Sequence, residues 1–165
     1  MSSIDKFNKL NKTEFLSIFG NVFEKTEWIA EKCYDLKPYN SIDELFLKMM
    51  EIFENAKKES HLEILNAHPD LAVEKKLTKD SKNEQKNASL NQCTDQELMD
   101  FNDLNIKYKK KFGFPFIIAV KGKNKKEILN SFRQRITNNI NLEFEEAKKQ
   151  VKKIATFRLN EIINQ

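Results

Sequence analysis

The sequence predicts an all-α protein, and three observations carry that reading. Gly and Pro are scarce, three of each in 165 residues, which disfavours a turn-rich β fold. Capping-box spacing, in which Ser, Thr or Asn is followed three residues later by Glu, recurs at Ser41, Ser60, Thr94 and Asn124. Between these starts, large apolar residues return every three or four positions, the helical period. The length suits one domain over residues 1–165, with chain enough for one substantial core. No repeat or low-complexity tract interrupts it.

Taken in order, TEFLSIFGNVFEKTEWIAEKC (13–33) supplies one or two helices. Ser41 opens a helix carrying Phe46, Met49, Met50 and Phe53 at helical spacing, and Ser60 opens a short one that stops at His68-Pro69. A helix from about Ser81 follows within LTKDSKNEQKNASL (77–90). Thr94 opens TDQELMDFNDLNIKYKKKFG, with Leu98, Phe101, Leu104 and Tyr108 on one stripe and Gly113 as the C-cap. Asn124 opens a helix with Ile128, Leu129, Phe132 and Ile136, and a last helix runs from about Leu142 towards the C-terminus. The exception is FGFPFIIAVKG (112–122), an apolar run bounded by two glycines. No second strand is evident to pair with it, so it is expected as an extended connection, at about 113–121, buried between helices. Its backbone N–H and C=O groups then need partners, and a ligand can be one. The thirteen Phe residues are expected mostly in the core.

Composition narrows the class of function. With 39% hydrophobic and 33% charged residues the chain is neither disordered nor membrane-embedded, and no apolar run approaches the roughly 20 residues of a membrane span. The start MSSIDKFNKLNKTEF lacks the apolar core of a signal peptide, and NEIINQ is not a peroxisomal address, so a cytoplasmic location is the default expectation. Lys and Glu are interleaved, as on solvated helix faces, and the lysines of KYKKKFG sit in the last turn of a helix, where they complement its dipole. No nucleic-acid partner is expected from a net charge of +4 without a basic stripe interleaved with aromatics. Cys33 and Cys93 are read as free thiols. No metal site is expected, since no His/Cys/Asp/Glu cluster has zinc-ligand spacing, and no phosphate loop or nucleophile elbow is present.

Three polar positions call for explanation. At about 100° per residue from Ala147, Arg158 falls near 20°, in the middle of the apolar stripe of the last helix. A guanidinium there must meet a carboxylate, carbonyls or an anionic ligand, so a structural ion pair, a snorkelling side chain and an anion site all remain open. Arg133 and Arg135 fall at the margins of their stripe and read as surface or rim. Ser81, Glu84, Gln85 and Ala88 share one helix face, either as a polar cluster or as a solvated helix start capped by Ser81. His68, set against Pro69, reads either as a helix-terminal histidine on the last carbonyls or as a general acid/base. His61, in the first turn of its helix, reads as surface.

In combination, AHPDLA, SKNEQ, FGFPFIIAV and AKKQVKKIATFRL, in this order over residues 67–159, resemble the OHCU decarboxylase family, whose substrate is 2-oxo-4-hydroxy-4-carboxy-5-ureidoimidazoline. The resemblance implies an all-helical fold and a cofactor-free conversion of OHCU to (S)-allantoin with loss of CO2, within urate degradation. It implies His68 as the catalytic histidine and Glu84 as the carboxylate opposite it. Pro69, Ser81, Gln85 and Arg158 then match substrate-contacting positions, as do Phe116 at the end of the FGFPF motif and the backbone after it, around Ile118 to Gly122. The implied partner is a small-molecule substrate, and a homodimer fits the family. One departure is Val73, where many members carry Gly soon after the histidine motif. Two other classes stay open: a non-catalytic helical binding domain that retains the fold, and a lyase or hydrolase for a related ureido or hydantoin compound.

Overall fold

The computed structural model describes residues 3–72 and 77–165. Val73, the departure noted above, lies outside the described residues. Those residues form nine α-helices, one short 3-10 turn and no strand, so the all-α class holds. The helices are α1 (Ser3–Asn8), α2 (Lys12–Phe19), α3 (Glu27–Asp35), α4 (Ile42–Glu54), α5 (Lys58–Asn66), α6 (Lys79–Asn87), α7 (Asp95–Phe112), α8 (Lys125–Arg135) and α9 (Ile140–Ile163), with the 3-10 turn at Leu90–Gln92 between α6 and α7.

The starts are chemically specified. Thr94 and Asn124 form complete capping boxes with Glu97 and Glu127, so two otherwise orphaned backbone donors are satisfied at each helix. Asn11 and Glu14 do the same for α2, a box of the same spacing. At α4, Ser41 caps the Glu44 N–H, but the Glu44 carboxylate accepts from the Asn40 N–H instead. Gly113 ends α7 at φ +82°, the left-handed geometry that costs glycine least. The segment 13–33 resolves into two helices, joined by the turn 20–26.

Two helix starts and one stripe differ from expectation. Helix α5 starts at Lys58 and not at Ser60, with Lys57 preceding it and making no side-chain cap. His61, three and four residues before Ile64 and Leu65, shares their buried face. Helix α6 starts at Lys79, capped by the Thr78 hydroxyl, which accepts from the Ser81 N–H. The inner stripe of α7 is Phe101, Asn105, Tyr108 and Phe112, while Leu98 is 40% exposed.

Contacts gather in two compact units: the residues up to Ala67 with Ile154–Gln165, and His68–Lys153. In the first, Phe15 packs with Phe19 and Tyr34, and Phe23 stacks on Phe53. The Lys37 ammonium donates to Asn8 O and Leu10 O beside the Tyr34 ring. In the second, the buried Tyr108 ring is surrounded by Phe112, Phe114, Phe116 and Phe132. All thirteen phenylalanines except Phe46, Phe144 and Phe157 are buried. The run 115–120 has no regular structure and is buried throughout, the extended connection expected there. Among the described residues no helix is long and apolar enough to cross a membrane.

Candidate active site

The chain leaves α5 at Ala67 and enters HPDLA, whose shape is fixed by its own unit. His68 and Asp70 are buried, and Pro69 is half-buried. Helix α6 reaches this loop through Gln85. Its Nε2 donates to Asp70 O at 3.2 Å, and its Oε1 accepts from the Ala72 N–H at 3.1 Å. Helix α7 holds it from another side. Asn105 Nδ2 donates to Leu71 O at 3.1 Å, and Lys109 Nζ lies 2.6 Å from Asp70 Oδ2. Ala72 sits at φ +55°, a conformation costly for a side-chain-bearing residue. Such a strained backbone persists where its surroundings over-determine it, and four hydrogen bonds to three side chains do so here. The histidine is therefore followed directly by residues, Asp70 to Ala72, that α6 and α7 hold in place.

Helix α6 turns the predicted polar face inward. Ser81 and Gln85 are buried, Ala88 beside them is buried, and Glu84 is half-buried. The solvated-start alternative is excluded for Ser81, because Thr78 takes the capping role and Ser81 lies within the helix. Gln85 has a more specific task than a general polar contact. Both ends of its carboxamide hold the loop that follows His68, and Glu84 is its direct neighbour in sequence.

The run after FGFPF is held with equal economy. Phe116 is 1% exposed and stacks on Phe132 with centroids 3.9 Å apart. Arg135 Nη1 donates to Ile117 O at 2.6 Å, and Gln150 Oε1 accepts from the Ala119 N–H at 2.9 Å. Arg135 is thus no rim residue, contrary to its place at the margin of the stripe. Its guanidinium meets both carboxylate oxygens of Glu143, which is fully buried. The Tyr108 hydroxyl donates to the same carboxylate. Burial first, then that bond, pushes the Tyr108 phenol well above its usual range, so it remains protonated and donating.

In the first unit, Arg158 is 4% exposed. Its Nη1 donates to Asn21 O at 2.8 Å, and its Nη2 lies 3.5 Å from Glu24 Oε2. The carboxylate required of that position is Glu24, on the turn 20–26, a turn braced by Asn21 and Thr26. His61 is also buried, against the expectation of a surface residue. Its Nε2 is 2.7 Å from Phe53 O, near the end of α4, where helix carbonyls lack intrahelical partners. Since the carbonyl can only accept, Nε2 carries the proton. Sequence reasoning missed Glu24, Asn105, Lys109, Glu143 and Gln150. Asn105 had a readable signal, falling four residues after Phe101 and three before Tyr108 on one stripe. The ion-pair partners had none, since each lies far off along the chain or on another helix. Among the described residues no group of His, Cys, Asp and Glu could hold a metal ion.

The family model for OHCU decarboxylase matches residues 8–160. The chain is 42% identical over its whole length to a uric acid degradation bifunctional protein of Bacillus sp. (strain TB-90), covering 33% of that protein. It thus spans about a third of the length of the first curated relatives it matches. Against a 2-oxo-4-hydroxy-4-carboxy-5-ureidoimidazoline decarboxylase of Haloferax volcanii the identity is 35%, over 96% of this chain and 95% of the other. Among solved structures, an (S)-allantoin synthase superposes with a TM-score of 0.78 at 30% identity, covering 96% of this chain and 53% of that one. An OHCU decarboxylase crystallised in the presence of (S)-allantoin gives 0.74 at 25%, covering 88% and 96%. The motifs that resembled a family in the sequence lie within the matched span, and the chain belongs to the OHCU decarboxylase family.

Proposed function

We propose that this protein decarboxylates OHCU to (S)-allantoin without a cofactor, as a step of urate degradation. The observation that carries the reading is the buried His68 on a loop tied down by Gln85, Asn105 and Lys109. General acid/base catalysis needs such a group held in one geometry. Membership of the family, and the names of the relatives, supply the substrate.

The chemistry asks little beyond binding and proton management. OHCU carries a carboxylate and a hydroxyl on one ring carbon, next to a ring C=N. When CO2 leaves, its bonding pair forms a ring C=C to the ureido-bearing carbon, the C=N pair moves onto the ring nitrogen, and that nitrogen takes up a proton to give a neutral, enol-like ring. The hydroxyl then loses its proton as the ring carbonyl forms, and the ureido-bearing carbon gains one from a single face. His68 handles the proton on the hydroxyl or the departing carboxylate. Glu84 orients His68 or exchanges protons with the substrate. Ser81, Pro69, Phe116 and the backbone at Ile118 fix the ureido-imidazoline. Gln85 acts through the loop it holds. Arg158 counters the substrate's negative charge with a planar fork that Asn21 O and Glu24 already orient. The same reading has one domain, acting as a homodimer in the cytoplasm on a small molecule, with neither nucleic acid nor metal involved.

The test generates OHCU in situ from urate and follows product by circular dichroism. Uncatalysed decay is racemic, so a signal growing faster than in the protein-free control supports the enzyme. A signal equal to the control refutes it.

A further inference from the structure

We propose that Arg135 and Gln150 are positioning residues that aim the N–H and C=O of Ile118 at the polar edge of a ureido or cyclic-amide ligand, an inference that rests on the function proposed above. A trans peptide unit is planar, with its C=O and N–H pointing in opposite directions. The unit between Ile117 and Ile118 has its carbonyl held by Arg135 at 2.6 Å. That fixes the direction of the Ile118 N–H, away from Arg135. The unit between Ile118 and Ala119 has its N–H held by Gln150 at 2.9 Å. That fixes the Ile118 C=O, away from Gln150.

Both anchors are themselves immobilised. Arg135 donates from Nε and Nη2 to Glu143, each at 2.9 Å, and its guanidinium lies 4.4 Å from the Phe116 ring centroid. Asn138 and Tyr108 donate to the same carboxylate. Gln150 donates to Glu146 Oε1 at 2.9 Å. Between them Ile118 is 7% exposed, and among the described residues its N–H and C=O meet no hydrogen-bond partner. Buried backbone groups are almost always paired, so one aimed donor and one aimed acceptor form a site for a ligand bearing the complementary pair. Ureides and hydantoins carry adjacent N–H and C=O groups on one edge.

Three variants and one exchange measurement test this. Gln150→Leu removes the acceptor at similar size, and Arg135→Lys replaces a planar fork by a point charge. The swap Glu146→Gln/Gln150→Glu keeps an acceptor on the Ala119 N–H. With OHCU as substrate, Gln150→Leu and Arg135→Lys are expected to raise KM about tenfold with a smaller change in kcat, as loss of one uniform binding contact does. The swap is expected to return KM to within about twofold of the parent. In the parent protein, saturating (S)-allantoin should slow hydrogen exchange at the Ile118 amide. Folded Gln150→Leu and Arg135→Lys variants with parental KM would overturn the proposal. So would an Ile118 amide whose exchange ignores (S)-allantoin, a measurement that decides the matter even if a variant fails to fold. A parent inactive on OHCU would instead sink the assigned reaction, while exchange with (S)-allantoin and hydantoin would still decide whether Ile118 is aimed.

Discussion

At the scale of single residues, burial decides what each polar group can do. The pair of Arg158 and Glu24 is almost wholly out of water, so each charge depends on the other. Glu24→Gln leaves the guanidinium with less compensation and should lower stability by about 3 kcal/mol in urea unfolding; an unchanged midpoint would mean that the other contacts of Arg158, Asn21 O among them, suffice. Arg158→Lys should lower activity markedly, because an ammonium cannot reproduce the fork; parental kinetics would remove Arg158 from the reaction. Cys33 is buried, and desolvation pushes its thiol up to about 12, whereas half-buried Cys93 is raised by burial and Glu97. A thiol reagent at pH 8 should therefore label Cys93 and leave Cys33 untouched until the chain unfolds; equal rates in the folded protein would contradict this. The sequence marked Arg158 as misplaced because a single helix has a readable stripe. It could not mark Arg135, whose burial comes from Glu143 on the next helix, nor His61, whose partner is a carbonyl of α4.

At the scale of elements, caps and one glycine set the boundaries that put these residues in place. Gly113 has φ +82° with nothing within 4 Å of an added Cβ, so Gly113→Ala tests backbone strain alone. It should cost about 1–2 kcal/mol with an unchanged denaturant slope; no loss would mean that α7 ends equally well without the left-handed turn. The capping box at Thr94 also has a pH signature. The Lys125 ammonium, then the Thr94 N–H, hold the Glu97 carboxyl below its usual range. A carboxylate depressed in the folded state contributes stability above its unfolded value, about 4.3, and loses it as pH falls through the lower folded value. The stability gap between parent and Glu97→Gln should thus persist at neutral pH and close in acid; a gap independent of pH would contradict the ion pair. Boxes at Thr94 and Asn124 were legible because capping is local. The start of α5 was not, since Ser60-x-x-Glu63 has the spacing of a cap but lies inside the helix, and Lys57 offers no side-chain signal. The capping role of Thr78 went unread for a related reason, since Ser81 offered an equally good hydroxyl.

For the whole molecule, scarcity of Gly and Pro together with helical spacing was enough for the all-α class, and the run at FGFPF was legible as a non-helical connection. The bonds of that connection were not legible, because Arg135 and Gln150 reach it from α8 and α9, and no periodicity carries a contact between elements. The same limit applies to the loop after His68, where Gln85 could be placed on an inner face but its grip on Asp70 O and Ala72 N–H needed coordinates. If the protein is the homodimer proposed, light scattering should give twice the 19.5 kDa of one chain, and the mass of a single chain would refute it. The central claim, that the buried His68 drives loss of CO2 from OHCU, is tested most directly by comparing the parent and His68→Asn in the circular dichroism assay at matched helical content. The account predicts a rapid optical signal from the parent and, from His68→Asn, a trace indistinguishable from the protein-free control. A His68→Asn protein that forms (S)-allantoin at the parental rate would contradict it.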